Sequence, residues 1–344
     1  MINSLAIDNF RCFKSVTLQD VKRFNIVTGT NGSGKTALLE ALFIAAGASA
    51  ELYIRANAWR GRDTINVSQL MLASLFDDFF HQFDSQAGLR IKFRDSHGDE
   101  REVTVTVGKS DVINLPFDKS SESSISRDLK FIWKTPKGTI ESNVEVGPDG
   151  LKIPQPSDTY PAVFINQFTA GTAKDTADRW STIARKNLEG PIVDSVRKIF
   201  PQVTGLTVLT SGGIGGIHAT VRGVNGKIPL GSVSAGISKV VAILVSIAWA
   251  SQGLVLIDEV ENGLYYKTLP EMWKEISHFA LEHKTQIFAT THSREFLEAI
   301  MPTVDNNAKD YSLLHLEKTN GEARITPFQG RQFAGAIQSG FEVR

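Results

Sequence analysis

One cysteine, Cys12, stands in 344 residues. No internal disulfide can form, and no Cys-x-x-Cys pair is present for a zinc hook. An excess of charge of one sign is also missing: 37 Lys plus Arg balance 37 Asp plus Glu, for a net charge of zero. That excludes strong nonspecific attraction to nucleic acid from bulk charge and leaves only a local patch to provide it. No apolar run can cross a bilayer, because the longest, Val240 to Ala250, falls well short of the about 20 residues a spanning helix needs. The opening Met1 to Asp8 has no basic stretch followed by an apolar core, so it does not read as a secretory signal. The expected location is the cytoplasm, with no membrane partner. Internal repeats and heptads sustained enough for a coiled coil are absent as well. What remains is ordinary globular composition, with enough chain for one large domain or two smaller ones.

The first thing present is Gly29-Thr30-Asn31-Gly32-Ser33-Gly34-Lys35-Thr36, which fits the phosphate-binding pattern G-x-x-x-x-G-K-[ST]. The apolar run Phe24 to Thr28 before it reads as a strand, and Ala37 to Ala46 after it reads as a helix rich in Ala and Leu. Glycines let such a loop turn tightly and aim N–H groups at phosphate oxygens, and the helix N-terminus adds partial positive charge. Lys35 would reach the outer phosphates, and the Thr36 hydroxyl would bind Mg2+. A nucleoside triphosphate is the implied ligand.

Two later strands end in chemistry. Gly253 to Glu259 is an apolar run closing on two carboxylates, and strand tips are where ligands bind in open parallel sheets. Asp258 is placed to hold the metal and Glu259 to polarise an attacking water. Gln286 to Ser293 repeats the pattern with His292 at its tip, where an imidazole can reach a γ-phosphate oxygen or the water. The other six histidines read as surface, strand or loop positions. Ser234-Ala235-Gly236 opens the apolar helix Ile237 to Ala250 and is either an anion-binding helix end or a plain N-cap.

Around these motifs, Ile2 to Ile7 and Ser15 to Leu18 read as paired strands. Glu51 to Phe83 reads as mostly helical, Asp118 to Arg127 as a Ser-rich loop, and Lys174 to Ile199 as helical. Leu89 to Phe93, Glu102 to Val107, Leu129 to Lys134 and Thr139 to Val146 read as strands, and 48–160 is taken as one β-rich insertion. Beyond Ser234 the alternation of helix and strand implies βαβ units and a mostly parallel sheet, and a hairpin from Tyr311 to Ile325 closes the chain.

The order of P-loop, Ser-x-Gly helix, Asp-Glu strand and strand-tip His resembles the ABC-type ATPases. The opening Leu5 to Phe13 and the pair of segments Asp258 to Leu264 and Thr290 to Ser293 are similar to the SMC/RecF/OLD branch. Within it they are most similar to the short stand-alone OLD-related ATP-binding proteins of bacterial defence loci. The resemblance spans the chain outside 48–160. It implies an α/β head over residues 1–344, with a mixed central sheet flanked by helices and no long coiled coil. It also implies ATP and Mg2+, an ATP-dependent homodimer, and an effector such as a nuclease or toxin. On it, Gly29, Asn31, Gly32, Ser33, Gly34, Lys35 and Thr36 hold the phosphates, while Ser234 and Gly236 touch the γ-phosphate held by a second copy. Thr36, Asp258 and Gln167 serve the metal, Glu259 and His292 the chemistry, and Arg11 contacts phosphate or the neighbouring P-loop. Asn262 and Gly263 fall in the loop that crosses the dimer. Departures are the signature Val-Ser-Ala-Gly-Ile-Ser in place of Leu-Ser-Gly-Gly-Gln, and Tyr265 where the group often has His. The ~50 residues after His292 are too few for a C-terminal nuclease domain.

An ATPase switch of this kind competes with a RecF-like binder of DNA, for which Arg55 to Arg62, basic around Trp59, is a candidate patch. A slowly turning assembly scaffold is a third reading that the residues leave open. No Asn-Lys-x-Asp segment supports a GTPase, and Gly231 to Gly236 lacks the G-x-S-x-G spacing of a serine hydrolase.

Overall fold

The computed structural model describes residues 1–47, 77–107, 129–143, 145–147, 150–152, 158–166, 173–319 and 321–338. Gln167, the patch at 55–62, the loop at 118–127 and most of the stretch expected to be helical from 51 onward lie outside them.

Two six-stranded sheets form the body. The first is antiparallel, in the order β2-β1-β4-β5-β6-β7. Its strands are β1 (Ile2–Phe10), β2 (Phe13–Leu18), β4 (Leu89–Asp95), β5 (Glu100–Val107), β6 (Leu129–Thr135) and β7 (Gly138–Asn143). Period-two patterning explains it: Leu89, Ile91 and Phe93 are buried, while Arg90, Lys92 and Arg94 between them point outward. On that outer face Arg90 and Lys134 pair with Glu102, and Lys92 and Arg94 with Glu100. The strands expected to form an insertion of their own thus extend the sheet begun by β1 and β2. Such non-local pairing leaves no mark in a local pattern.

The second sheet runs β10-β14-β15-β3-β16-β17. These are β10 (Ala162–Ile165), β14 (Leu254–Ile257), β15 (Gln286–Thr290), β3 (Phe24–Gly29), β16 (Tyr311–Thr319) and β17 (Glu322–Gln329), parallel except for β17. Its inner strands are buried on both faces, which is why they read as unbroken apolar runs. Leu254, Leu256 and Phe288 face helix α1 (Lys35–Ala46), which lies between the two sheets and is buried at every position but Thr36. Val255, Ile257, Ile287 and Ala289 face the opposite layer. That layer holds α2 (Ala173–Ala184), α3 (Gly190–Ile199), α5 (Ala235–Trp249), α6 (Leu269–Glu282), α7 (Arg294–Asn306) and α8 (Arg331–Gln338), with the short α4 (Leu230–Val233) ahead of α5. A three-stranded antiparallel unit of β11 (Val203–Ser211), β12 (Ile214–Val221) and β13 (Lys227–Pro229) precedes α4, and β8 (Glu145–Gly147) pairs with β9 (Gly150–Lys152).

Two helical expectations change. The segment 174–199 is two helices, broken where Asn187 takes a left-handed conformation and Pro191 starts the second. Residues 77–83 form two short 3-10 turns. Their backbone is tied to the β1–β2 turn, with Arg11 N–H donating to the Phe79 carbonyl at 2.8 Å. No described helix is long and apolar enough to cross a membrane.

Candidate functional site

β3 delivers the chain into the Gly29–Thr36 loop at the centre of the parallel sheet. Glycine is required at both ends of it. A Cβ on Gly29 would lie 2.0 Å from the Leu316 carbonyl oxygen, and one on Gly34 2.4 Å from Cys12 Sγ, with φ of +139° and +110°. Gly34 starts α1 without a side-chain cap and without an acidic residue in the first turn, so no side chain offsets the positive end of the helix, where Gly34, Lys35 and Thr36 line the cavity. Lys35 folds over the loop, donating to the Gly29 and Thr30 carbonyls at 2.7 and 2.9 Å. Burial pushes its pKa down to about 8, against the pull of Asp258, Glu259 and Glu261. Ser33 Oγ is buried with no hydrogen-bond partner among the described residues, and Asn31 stands exposed on the loop.

The parallel register brings the other strand tips to this loop. Ile257 pairs with Ala289, and Thr290 with Val27. Thr36 Oγ1 then lies 3.1 Å from one Asp258 carboxylate oxygen and 3.4 Å from the other. Thr290 Oγ1 donates to Asp258 at 2.6 Å and accepts the Glu259 N–H at 2.7 Å. Glu259 sits at φ 47°, a left-handed conformation uncommon outside glycine, and this turns it out of the strand. Its pKa is raised by burial first, then by Asp258 and Glu261. His292 donates its backbone N–H to Glu261 at 3.0 Å, and burial lowers the pKa of its ring.

A cavity of about 420 Å3 collects Gly32, Gly34, Lys35, Thr36, Asp258, Glu259 and His292 on one set of elements. Arg11, Asp78, Phe80, Gln82 and Phe83 line it from another. That volume falls in the range of small-molecule sites, about 300–1,000 Å3. The donors suit a triphosphate: the N–H groups of a helix start, the Ser33 hydroxyl that has no partner among the described residues, and a lysine. Thr36 and Asp258 are hard oxygen ligands of the kind Mg2+ takes alongside phosphate. Among the described residues no cluster of three His, Cys, Asp or Glu could hold a metal alone.

Not every expected residue converges. Ser234 and Gly236 are absent from the lining. Ser234 is the N-cap residue of α5, yet its side chain caps nothing. Gly236 is buried against the loop after β14, where a Cβ would come within 2.7 Å of the Gly263 carbonyl oxygen. Arg11 reaches the cavity wall, but its Nε lies 2.6 Å from Glu40 and its Nη1 3.4 Å from Asp78, with its guanidinium carbon 4.3 Å over the Phe79 ring. It clamps the buried Glu40 of α1 to the 77–83 turns. Gln167 is outside the described residues.

Sequence reasoning missed Lys239. One turn into α5 it is 6% exposed, and its ammonium donates to the Glu259 carbonyl. Burial pulls its pKa down to about 8, with Glu261, Glu259 and Asp258 acting the other way. A lone lysine matches no motif, and the available clue was a charge at a helix position that ought to face the core. Thr290 stands in the strand-tip segment that carries the resemblance, but its bridge between Asp258 and the Glu259 N–H was not foreseen.

A family model described as "AAA domain, putative AbiEii toxin, Type IV TA system" matches residues 24–298, well over half the chain. The chain belongs to this AAA-domain family. An "ATP/GTP phosphatase" of Helicobacter pylori is 24% identical to the AAA-domain protein, covering 87% of each chain. The "DNA replication and repair protein RecF" of Idiomarina loihiensis is 49% identical over 43 residues, 12% of each. A SMC head bound to the C-winged helix domain of ScpA superposes with a TM-score of 0.51 at 13% identity, covering 96% of this chain and 99% of that one. A SMC head with an extended coiled coil, bound to the C-terminal domain of ScpA derived from Pyrococcus furiosus, gives 0.50 at 12% identity and 98% of each. The fold is therefore that of an ABC-type ATPase head of the SMC/RecF kind.

Proposed function

We propose that this AAA-domain protein binds ATP with Mg2+, hydrolyses it through Glu259 and works as an ATP-gated homodimer. The observation that carries the reading is the meeting of Lys35, Thr36, Asp258, Glu259 and His292 on one cavity, with Thr36 and Asp258 in hydrogen-bond reach. The loop N–H groups, Lys35 and Ser33 bind and orient the triphosphate. Thr36 and Asp258 would hold Mg2+, which supplies charge neutralisation at the β- and γ-oxygens. Glu259, its pKa raised, takes a proton from the attacking water; Thr290 and Lys239 fix its backbone while it does so. His292, its ring pKa lowered by burial, is placed to hydrogen-bond the water or a γ-oxygen.

Ser234 is exposed and its hydroxyl makes no cap bond to its own helix, while Ala235 and Gly236 next to it pack against Gly263. This supports a composite site in which Ser234 and Gly236 of one copy face the nucleotide of the other. On this reading residues 1–344 act as a single head. The dimer controls a nuclease or toxin effector in the cytoplasm, in keeping with OLD-related proteins and the toxin–antitoxin description of the family. The RecF match favours a second reading, direct DNA binding in repair. Tight ATP-dependent DNA binding by the isolated protein would support it over the effector switch. Glu259→Gln tests the chemistry: ATP binding is retained and phosphate release falls by about 100-fold or more. Turnover near the parent rate would make Glu259 the wrong base.

A further inference from the structure

The cavity lining falls into two sets, and the phosphates account for only one. Gly32 to Thr36 and the strand tips take the triphosphate on the reading above. The ribose and base must then lie against the second set, formed by the β1–β2 turn and the 77–83 turns. In that set Phe80 is buried, whereas Phe83 is 70% exposed, the most exposed large apolar side chain among the described residues. Leaving such a ring in water forgoes its burial energy. The backbone there is costly too. Gln82 and Phe83 are consecutive left-handed residues, with φ of 51° and 62°, a conformation that bulky side chains rarely adopt.

The surroundings hold this conformation firmly. Phe83 N–H donates to the Phe80 carbonyl at 3.1 Å, and Asp84 N–H to the His81 carbonyl at 3.0 Å. Asn9 Nδ2 donates to the Asp84 and Gly88 carbonyls at 2.8 and 2.7 Å. His81 Nδ1 is 2.9 Å from the Arg11 carbonyl, and Phe10 bridges to Phe80. Cys12, next along, packs on Gly34 of the P-loop. An exposed aromatic is thus fixed, through one chain of contacts, at a set place relative to the phosphate loop. Strain that the surroundings over-determine in this way gathers at ligand sites.

We propose that Phe83 is the base platform of the site: its ring stacks on the purine of the bound nucleotide. The proposal rests on the nucleotide reading and adds the residue that recognises the base. Its test compares ATP with inorganic tripolyphosphate, which offers the same phosphates and no base, by titration calorimetry on the parent protein, Phe83→Ala and Phe83→Trp. Because the ring is exposed, neither variant should change the melting temperature. Phe83→Ala should weaken ATP about tenfold, the lower part of the range for one base–aromatic stack, and leave tripolyphosphate unchanged. Phe83→Trp should bind ATP at least as well as the parent, with indole emission quenched by ATP and not by tripolyphosphate. Unchanged ATP affinity in Phe83→Ala would overturn the proposal. Equal weakening of ATP and tripolyphosphate would also overturn it, by assigning Phe83 to the shape of the phosphate loop. Failure of the parent protein to bind either ligand would bring down the nucleotide reading itself and this proposal with it, a result distinct from both.

Discussion

Replacing Lys239 by methionine separates the two things this buried cation does. Methionine has nearly the same length and no charge, so packing within α5 is kept. At neutral pH the charge is costly to the fold: the fall in pKa from 10.5 to about 8 corresponds to about 3 kcal/mol at 1.36 kcal/mol per pH unit. The bond to the Glu259 carbonyl, of the charge-assisted kind worth about 1.5–3 kcal/mol, is lost in the variant. The two changes nearly offset, and stability at pH 7 should stay within about 2 kcal/mol of the parent. The pH dependence should change more. Between pH 8 and 10.5 the unfolded chain holds the Lys239 proton and the folded chain has released it. Stability therefore rises with pH across that window and is lost as pH falls through about 8. Lys35, also lowered to about 8 without nucleotide, contributes a similar rise. Lys239→Met should keep only the Lys35 share, so its rise is smaller by about 3 kcal/mol in nucleotide-free urea unfolding. Catalysis should suffer where stability does not. With its carbonyl anchor gone, Glu259 is misplaced and kcat falls by about 10- to 100-fold while ATP affinity holds. Lys239 is also one of the charges that lower the Glu259 pKa, so the acid limb of the kcat profile should move to higher pH. An unchanged stability–pH rise, or parent-like kcat, would refute the assignment.

Lys35 should take up a proton when a triphosphate binds, because phosphate charge restores the ammonium whose pKa burial has lowered to about 8. At pH 9 calorimetry in buffers of different ionisation heat should report uptake close to one proton, with affinity falling about tenfold per pH unit above pH 8; no uptake would contradict it. Thr290→Val keeps the strand but removes the bridge from Asp258 to the Glu259 N–H. It should cost about 1–3 kcal/mol of stability and weaken the Mg2+ dependence of nucleotide binding, and parent-like Mg2+ titrations would exclude that role.

The phosphate loop and the strand tips are legible in the sequence because each is local. An apolar run buried on both faces ends in a polar residue, and glycines stand where a Cβ would strike Leu316 or Cys12. The parallel core from β10 to β16 follows from the same runs. What local pattern cannot carry is pairing at a distance. The strands from Leu89 to Asn143 look like a unit of their own, yet they complete the sheet of β1 and β2. The turns at 77–83 look helical by composition, yet their backbone bonds go to Arg11. Lys239 and Phe83 are single residues whose meaning lies in what the fold sets beside them. Arg11 carries both kinds of information: its motif points to phosphate, and the fold sets it on the cavity wall with its guanidinium against Glu40 and Asp78.

If ATP closes two copies around composite sites, sedimentation velocity with and without Mg–ATP reads the closure out. Glu259→Gln alone should shift from monomer to dimer on adding ATP. Adding Ser234→Arg should leave one ATP bound per chain, since Ser234 lies outside the chain's own cavity, and should hold the protein as a monomer. ATP-driven dimerisation of the double variant to the same extent, or no response to ATP in Glu259→Gln, would contradict the account.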